Sequence, residues 1–275
     1  MNEFRPGRFE ILPLVIKNLL IINGLVFLAQ NTLEATMGNK ITDLFALHYW
    51  GSDLFRPHQF ITHLFMHGSF GHLFMNMFTL WMFGATLENV WGPKRFLIFY
   101  MICGLGAALC HMSVLTYENI NIAKDIHTFL ADPTYGNFAL IDRKYDLNSG
   151  VYNVDGLLNA LRQYPDNEQV VQTAKIFLQE FLGKYRDTAT LGASGAVYGI
   201  LFGFGYLFPN TLLYIYFLFP IKAKYVVGFL IVMELVSGFQ NSAGDNVAHF
   251  AHLGGVLFSY LLLKVWNKRN RSHFY

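Results

Sequence analysis

Charge is what this chain has least of. Asp, Glu, Lys and Arg make up only 14% of its 275 residues, against 53% hydrophobic ones. Soluble domains carry about 25% charged residues, so the composition argues against an ordinary globular domain in water. The formal net charge of +2 comes without a basic patch, which leaves no surface suited to nucleic acid. There are two cysteines, Cys103 and Cys110. On one helix they stand about 10 Å apart along the axis, too far to bridge each other, and they read as packing residues. No repeat or low-complexity tract is present.

What is present is a series of long apolar runs: 11–33, 60–87, 96–115, 190–208, 225–240 and 247–266. A membrane-spanning helix needs about 20 such residues. The pattern predicts an all-α membrane protein with six transmembrane helices. The fifth run is short and reaches full length only if Ile221 to Lys224 is partly immersed. Basic residues fall between and beside the runs as Arg5/Arg8, Lys94/Arg95, Lys222/Lys224 and Lys264/Lys268/Arg269/Arg271. In a six-span layout all four clusters share one side, which the positive-inside rule makes cytoplasmic, with both termini there. The first run is too long for a cleaved signal and lacks a small-residue cleavage site, so it reads as a permanent span.

Two stretches interrupt the apolar pattern. Residues 34–59 mix polar groups with Tyr49, Trp50 and Phe55, a composition suited to the membrane interface. Residues 116–189 are polar, with turn signals at Asp132-Pro133, Tyr135-Gly136 and Asn148-Ser149-Gly150. Within them, Val170 to Leu182 repeat apolar residues at helical spacing after a start signal at Pro165-Asp166-Asn167-Glu168, and Val154 to Leu161 suggest a shorter helix. The expected organisation is 1–115 (helices one to three), 116–189 (a small extracytoplasmic helical insertion whose apolar stripes pack against each other as a hairpin, on the bilayer surface, or on a substrate or partner) and 190–275 (helices four to six and a cytoplasmic tail).

Ionisable groups at membrane depth read as functional by default. Ser194 sits in Leu191-Gly192-Ala193-Ser194-Gly195-Ala196, and His249 and His252 sit in Ala248-His249-Phe250-Ala251-His252-Leu253-Gly254-Gly255. A serine is a weak nucleophile until a base takes its proton, and imidazole suits that work near neutral pH. Position alone does not rank the two histidines. Gly195, Gly199 and Gly203 form a bare helical stripe that permits close approach, for which Gly254 and Gly255 offer a partner surface; Gly255-x-x-x-Ser259 extends it. In the second run, His72 and Asn76 are i, i+4 and share a helix face. Both are donor types able to stabilise an oxyanion. His63 and His67 stand nearby, and a histidine cluster also raises a zinc site or metal transporter using His63, His67, His72 and His249. Carboxylates and thiolates are scarce in these runs. Glu88 and Glu234 read as buried carboxyls tying helices together, with no catalytic part. With no aspartate in the serine or histidine runs, a dyad fits better than a triad; Asp245 is the nearest candidate and reads as solvated.

Together these residues resemble the rhomboid family of intramembrane serine proteases, and the chain looks like a bacterial member with a long insertion between helices three and four. The resemblance covers roughly 11–115 and 190–266. It rests on three motifs: His67 with His72 and Asn76 at +5 and +9, Gly192-Ala193-Ser194-Gly195, and Ala251-His252-Leu253-Gly254-Gly255. The last favours His252 over His249. The resemblance implies that Ser194 is the nucleophile and His252 the general base. His72 and Asn76, with the Ser194 N–H, would form the oxyanion hole, and Tyr198 would stack on His252 and hold its ring. It implies transmembrane protein substrates in a lipid bilayer, no metal or cofactor, and a bacterial inner membrane. Glu88 matches a structural helix-end carboxyl. The family's first-loop Trp-Arg has no counterpart near His58-Gln59, which removes an arginine-based anchor. The alternative is a non-catalytic rhomboid-like binder, marked by loss of the serine or histidine; both are present here.

Overall fold

The computed structural model describes residues 9–147, 153–215, 219–240 and 248–271. Arg5, Arg8, the Asn148–Gly150 turn and Asp245 therefore lie outside the described residues. The elements are α1 (Leu14–Met37), α2 (Lys40–Phe45), α3 (Gln59–Thr62), a 3-10 turn (His63–Phe65), α4 (Phe70–Trp91), α5 (Pro93–Ala131), α6 (Tyr135–Tyr145), α7 (Val154–Gln163), α8 (Glu168–Arg186), α9 (Ser194–Leu207), β1 (Leu212–Ile215), β2 (Phe219–Lys222), α10 (Ala223–Gln240) and α11 (His249–Arg271). Among them, α1, α5 and α10 are long and apolar enough to cross a membrane by length and composition, and α9 is a shorter apolar helix. The count of six spans is thus not reached on that measure, although a helix occupies each of the six apolar runs.

Several details depart from the sequence expectation. The second run is not one helix. It breaks at Met66–Ser69, where the His67 N–H donates to Gln30 Oε1 and the Ser69 hydroxyl caps the new helix by accepting from the His72 N–H. A serine N-cap satisfies a donor the helix leaves orphaned. His63 and His67 therefore do not share a helical face. The third run continues without a break into the insertion, so α5 extends to Ala131. The turn signals near residue 135 instead open α6, which Thr134 caps through the Asn137 N–H. The chain is also not wholly helical. β1 pairs antiparallel with β2, Leu212 opposite Lys222 and Leu213 opposite Ile221. Pro209 and Asn210 end the preceding helix, and apolar β-formers follow.

One core lies in the bundle, built from Ile16, Leu80, Leu87, Phe96, Phe99 and Phe204 among others. At its centre α9 packs between α5 and α11. The glycine stripe is the reason. A Cβ on Gly195 would meet Ala107, one on Gly199 would meet Cys103, and one on Gly203 would meet Phe99, all on α5. On the other side, Gly254 of α11 faces Cys110 of α5. Both cysteines are free and serve as packing surface. α10 lies at the periphery and exposes Phe229, Val232 and Phe239. Outward apolar side chains of this kind suit lipid.

Glu88, 3% exposed, accepts hydrogen bonds from the backbone N–H groups of Val15 (2.8 Å) and Ile16 (2.9 Å). The N-cap of α1 is Pro13, which offers no side-chain bond, so α4 supplies the anionic cap from across the interface. Glu10 and Asn89 bond each other at the same end, and Arg95 stacks over Trp266, 4.1 Å from the ring centre. The start of α1, the end of α4, the start of α5 and the end of α11 therefore gather at one end of the bundle.

The insertion has its own core: Ile122, Ile126 and Phe129 from α5 meet Phe138, Leu161, Phe177 and other residues of α6, α7 and α8.

Candidate active site

Ser194 is the first residue of α9. The chain reaches it in extended form. Thr190 and Leu47 exchange two backbone hydrogen bonds of 2.8 Å, and the Gly192 N–H donates to the His63 carbonyl at 2.9 Å. Gly192 has φ +124°, a conformation that side chains disfavour. It also lies under His72: a Cβ there would stand 2.7 Å from His72 Cε1 and 2.8 Å from Nε2. Only glycine lets the strand pass beneath this ring and turn into the helix. The first turn of α9 leaves the N–H groups of Ser194 and its followers without intrahelical partners.

Across the α9–α11 contact, His252 Nε2 lies 2.9 Å from Ser194 Oγ. The Tyr198 ring stacks on the His252 imidazole, with centroids 4.2 Å apart and planes 10° from parallel. Asn76 of α4 is buried, and its Nδ2 has no hydrogen-bond partner among the described residues. A buried donor left unpaired is costly, and it is the kind of group that a transient anion would satisfy. The structure thus joins Ser194, His252 and Tyr198 directly, and places His72 over the strand that delivers Ser194. His249 is not in the serine contact; its Nδ1 lies 2.6 Å from Glu234 Oε2.

Glu234 is a buried carboxyl that ties helices together, as expected from the sequence, and it does so beside the Ser194–His252 contact. It stands on α10, 8% exposed, and accepts from the Tyr198 hydroxyl as well as facing His249. His252 Nδ1 is 2.9 Å from the same Oε2, close enough for an ion pair, although the contact does not meet hydrogen-bond geometry. The available signal was the lone acidic residue in an apolar run.

The histidines weighed as a metal set do not gather into one. His63 Nδ1 is bound to the Gln59 carbonyl at 2.7 Å, and His67 meets His72 edge to face. Among the described residues, the group with metal-ligand spacing is Glu234, His249 and His252, its ligand atoms within 4.8 Å of one another.

The first loop is held mainly by Gln59, with Arg56 donating to the Asp53 and Phe55 carbonyls. Gln59, fully buried, accepts from the N–H groups of His48 (3.3 Å) and Arg56 (3.1 Å) through Oε1. Its Nε2 donates to the carbonyls of Asp43 (3.0 Å) and Leu54 (2.9 Å). One amide side chain ties both ends of the loop that pairs with Thr190. On the insertion side, the Ser52 hydroxyl donates to Asp187 Oδ1 at 2.5 Å, and His111 Nε2 meets Thr190 Oγ1 at 2.9 Å.

A family model, the rhomboid domain, matches residues 54–134 and 170–268. The break in the match falls over α6 and α7, inside the insertion. Three curated relatives are similar at low identity. RHOMBOID-like protein 12, mitochondrial, of Arabidopsis thaliana is 24% identical over 80% of this chain and 48% of its own length. Uncharacterized rhomboid protein P4H10.10, mitochondrial, of Schizosaccharomyces pombe is 25% identical over 96% of this chain and 69% of its own length. Rhomboid protein 1, mitochondrial, of Saccharomyces cerevisiae is 26% identical over 75% of this chain and 42% of its own length. The chain spans about half the length of the first and third of these relatives. All three carry mitochondrial names, so the expectation of a bacterial type in a bacterial inner membrane finds no support in them.

Proposed function

The chain belongs to the rhomboid family, and from that premise we propose that it is an intramembrane serine endopeptidase. Its substrates are transmembrane proteins cleaved in or near their membrane segments. The observation that carries this reading is the 2.9 Å contact between His252 Nε2 and Ser194 Oγ, a nucleophile and a base within hydrogen-bond reach.

The proposed bundle has six membrane helices: α1, α4, α5, α9, α10 and α11. α9 has 14 residues, a length of about 21 Å, against a hydrocarbon core of about 30 Å. Ser194, at its N-terminus, therefore sits below one membrane face, on the side of the first loop and the insertion. Water reaches it from that side. Residues 116–189 stand outside the membrane there, and the end bearing Arg95 and Trp266 faces the opposite side together with both chain ends.

In the reaction, Ser194 Oγ attacks the scissile carbonyl carbon while its proton passes to His252 Nε2. The carbonyl oxygen becomes an anion, held by His72, Asn76 and the Ser194 N–H. His252 then returns the proton to the leaving nitrogen as the C–N bond breaks. Water repeats the sequence on the acyl-enzyme and restores Ser194. Tyr198 holds the imidazole plane throughout. No metal or cofactor takes part, and no nucleic acid is bound. A peptide bond locked in a helix is poorly exposed to attack, so helix-breaking residues in a substrate favour cleavage.

The test is cleavage of a model transmembrane substrate by purified protein in proteoliposomes. Ser194→Ala and His252→Ala each abolish cleavage while the folded protein is retained. Full activity in Ser194→Ala contradicts the reading.

A further inference from the structure

We propose that Glu234 is the positioning residue of the hydrolytic apparatus, fixing which nitrogen of His252 carries the proton. The proposal deepens the protease reading and rests on it. A carboxylate in an apolar helix is costly unless it is paired, and Glu234 meets three polar side chains of the bundle. The Tyr198 hydroxyl of α9 donates to it, and Nδ1 of His249 and Nδ1 of His252, both on α11, converge on Oε2 at 2.6 Å and 2.9 Å. Tyr198 is also the ring stacked on His252. The carboxylate thus touches both partners of the stack, and α9, α10 and α11 meet at one side chain.

The chemistry requires such a group. A neutral imidazole has one N–H and one bare nitrogen. To accept the Ser194 proton, Nε2 must be bare, so the ring proton must sit on Nδ1. A stacked tyrosine sets the ring plane but has no preference between the tautomers. Glu234 Oε2 at 2.9 Å supplies that preference, because a carboxylate accepts a hydrogen bond and repels a bare nitrogen lone pair. When the Oγ–H bond breaks and its proton moves to Nε2, Nδ1 keeps its own proton and the ring becomes a cation. Glu234 takes no proton; its charge offsets the cation, as the buried carboxylate does in a serine-protease triad. The 2.9 Å contact falls short of hydrogen-bond geometry in the substrate-free site, and such contacts tighten as the reacting complex forms. His249, bound to the same oxygen, holds the carboxylate toward α11.

The experiment compares the full chain with Glu234→Gln, Glu234→Asp and Ser194→Ala in proteoliposomes on one model transmembrane substrate. Glu234→Gln is expected to lower kcat by about 10²–10⁴-fold, with KM within about threefold of the parent, the signature of an interaction made in the transition state. Glu234→Asp, which restores the charge, is expected to recover at least about tenfold of that loss. A Glu234→Gln variant that keeps kcat within about threefold overturns the positioning role and leaves the Ser194–His252 reading in place. Activity surviving in Ser194→Ala strikes that reading instead. Where Glu234→Gln folds poorly, the tautomer is read in the unsubstituted protein by nitrogen NMR of labelled histidine: His252 protonated on Nδ1 agrees with the proposal, and His252 protonated on Nε2 overturns it.

Discussion

Gly255 of α11 and Gly195 of α9 meet backbone to backbone: a Cβ on Gly255 would lie 1.9 Å from the Gly195 carbonyl oxygen. No side chain could occupy that space, and the contact is what brings His252 to Ser194, one residue before Gly195. Gly255→Ala is therefore expected to push the helices apart. Overpacking costs about 1–3 kcal/mol where side chains yield, and a backbone atom yields less than a side chain. The checks are a fall in thermal midpoint in detergent and loss of cleavage, both greater than for Gly24→Ala, where the same Cβ meets nothing within 4 Å.

Gly192→Ala separates geometry from global packing. The residue needs φ +124° and leaves no room beneath His72. The expected result is a displaced His72 ring and a kcat lowered by the order of one lost oxyanion donor, about 10²–10³-fold. His72→Ala is expected to fall in the same range, and the double variant to fall little further, since both act on one ring. Steady-state kinetics of the three variants checks this.

Glu88→Gln is expected to destabilise the fold while sparing the chemistry. Val15 and Ile16 bond different carboxylate oxygens, and an amide has one accepting oxygen, so one bond becomes neutral and the other is lost; hydrogen bonds to charged groups are worth about 1.5–3 kcal/mol. The thermal midpoint should drop, with kcat/KM unchanged at temperatures where the variant remains folded.

The insertion carries a pH-dependent contact. Burial opposes the Asp125 charge, but hydrogen bonds from Lys144 (2.6 Å) and Tyr145 (2.7 Å) outweigh it and hold the carboxyl below its usual range. The bond to Asp125 pushes the Lys144 ammonium up. A depressed carboxyl stabilises above its unfolded pKa, about 3.9, and a raised ammonium stabilises below its own, about 10.4. The contribution is complete between those limits and fades outside them. Lys144 is half exposed, so the pair is worth no more than about 1 kcal/mol. Hydrogen exchange of α6 amides should show protection, corrected for intrinsic rates, that is flat from pH 5 to 8 and falls on acidification below about 3.9. In Asp125→Asn that acid-side fall should be reduced.

Much of the site was legible because its demands are local. Ser194, the His249/His252 pair, the glycine stripe and the His72/Asn76 pair each follow from residue type and spacing along one segment, whereas Tyr198 and the choice of His252 over His249 came only from the resemblance. The insertion helices α7 and α8 were readable for the same reason, since their apolar spacing and starting residues are local. The residues that escaped act across helices. Glu234 comes from α10 to a pair on α9 and α11, and no spacing in the sequence links position 234 to 198 or 252. Gln59 ties the first loop with five backbone bonds, which shows only once the loop is folded. The break before α4 was hidden because His63 to Asn76 reads as one apolar helix until Gln30 is seen holding the His67 N–H.

The most direct measurement is the site of covalent labelling. Folded protein treated with a fluorophosphonate and digested for mass spectrometry is predicted to carry the adduct on Ser194, with labelling lost in His252→Ala. An adduct on another serine, or Ser194 labelling that persists at the parent rate without the imidazole, would contradict the account.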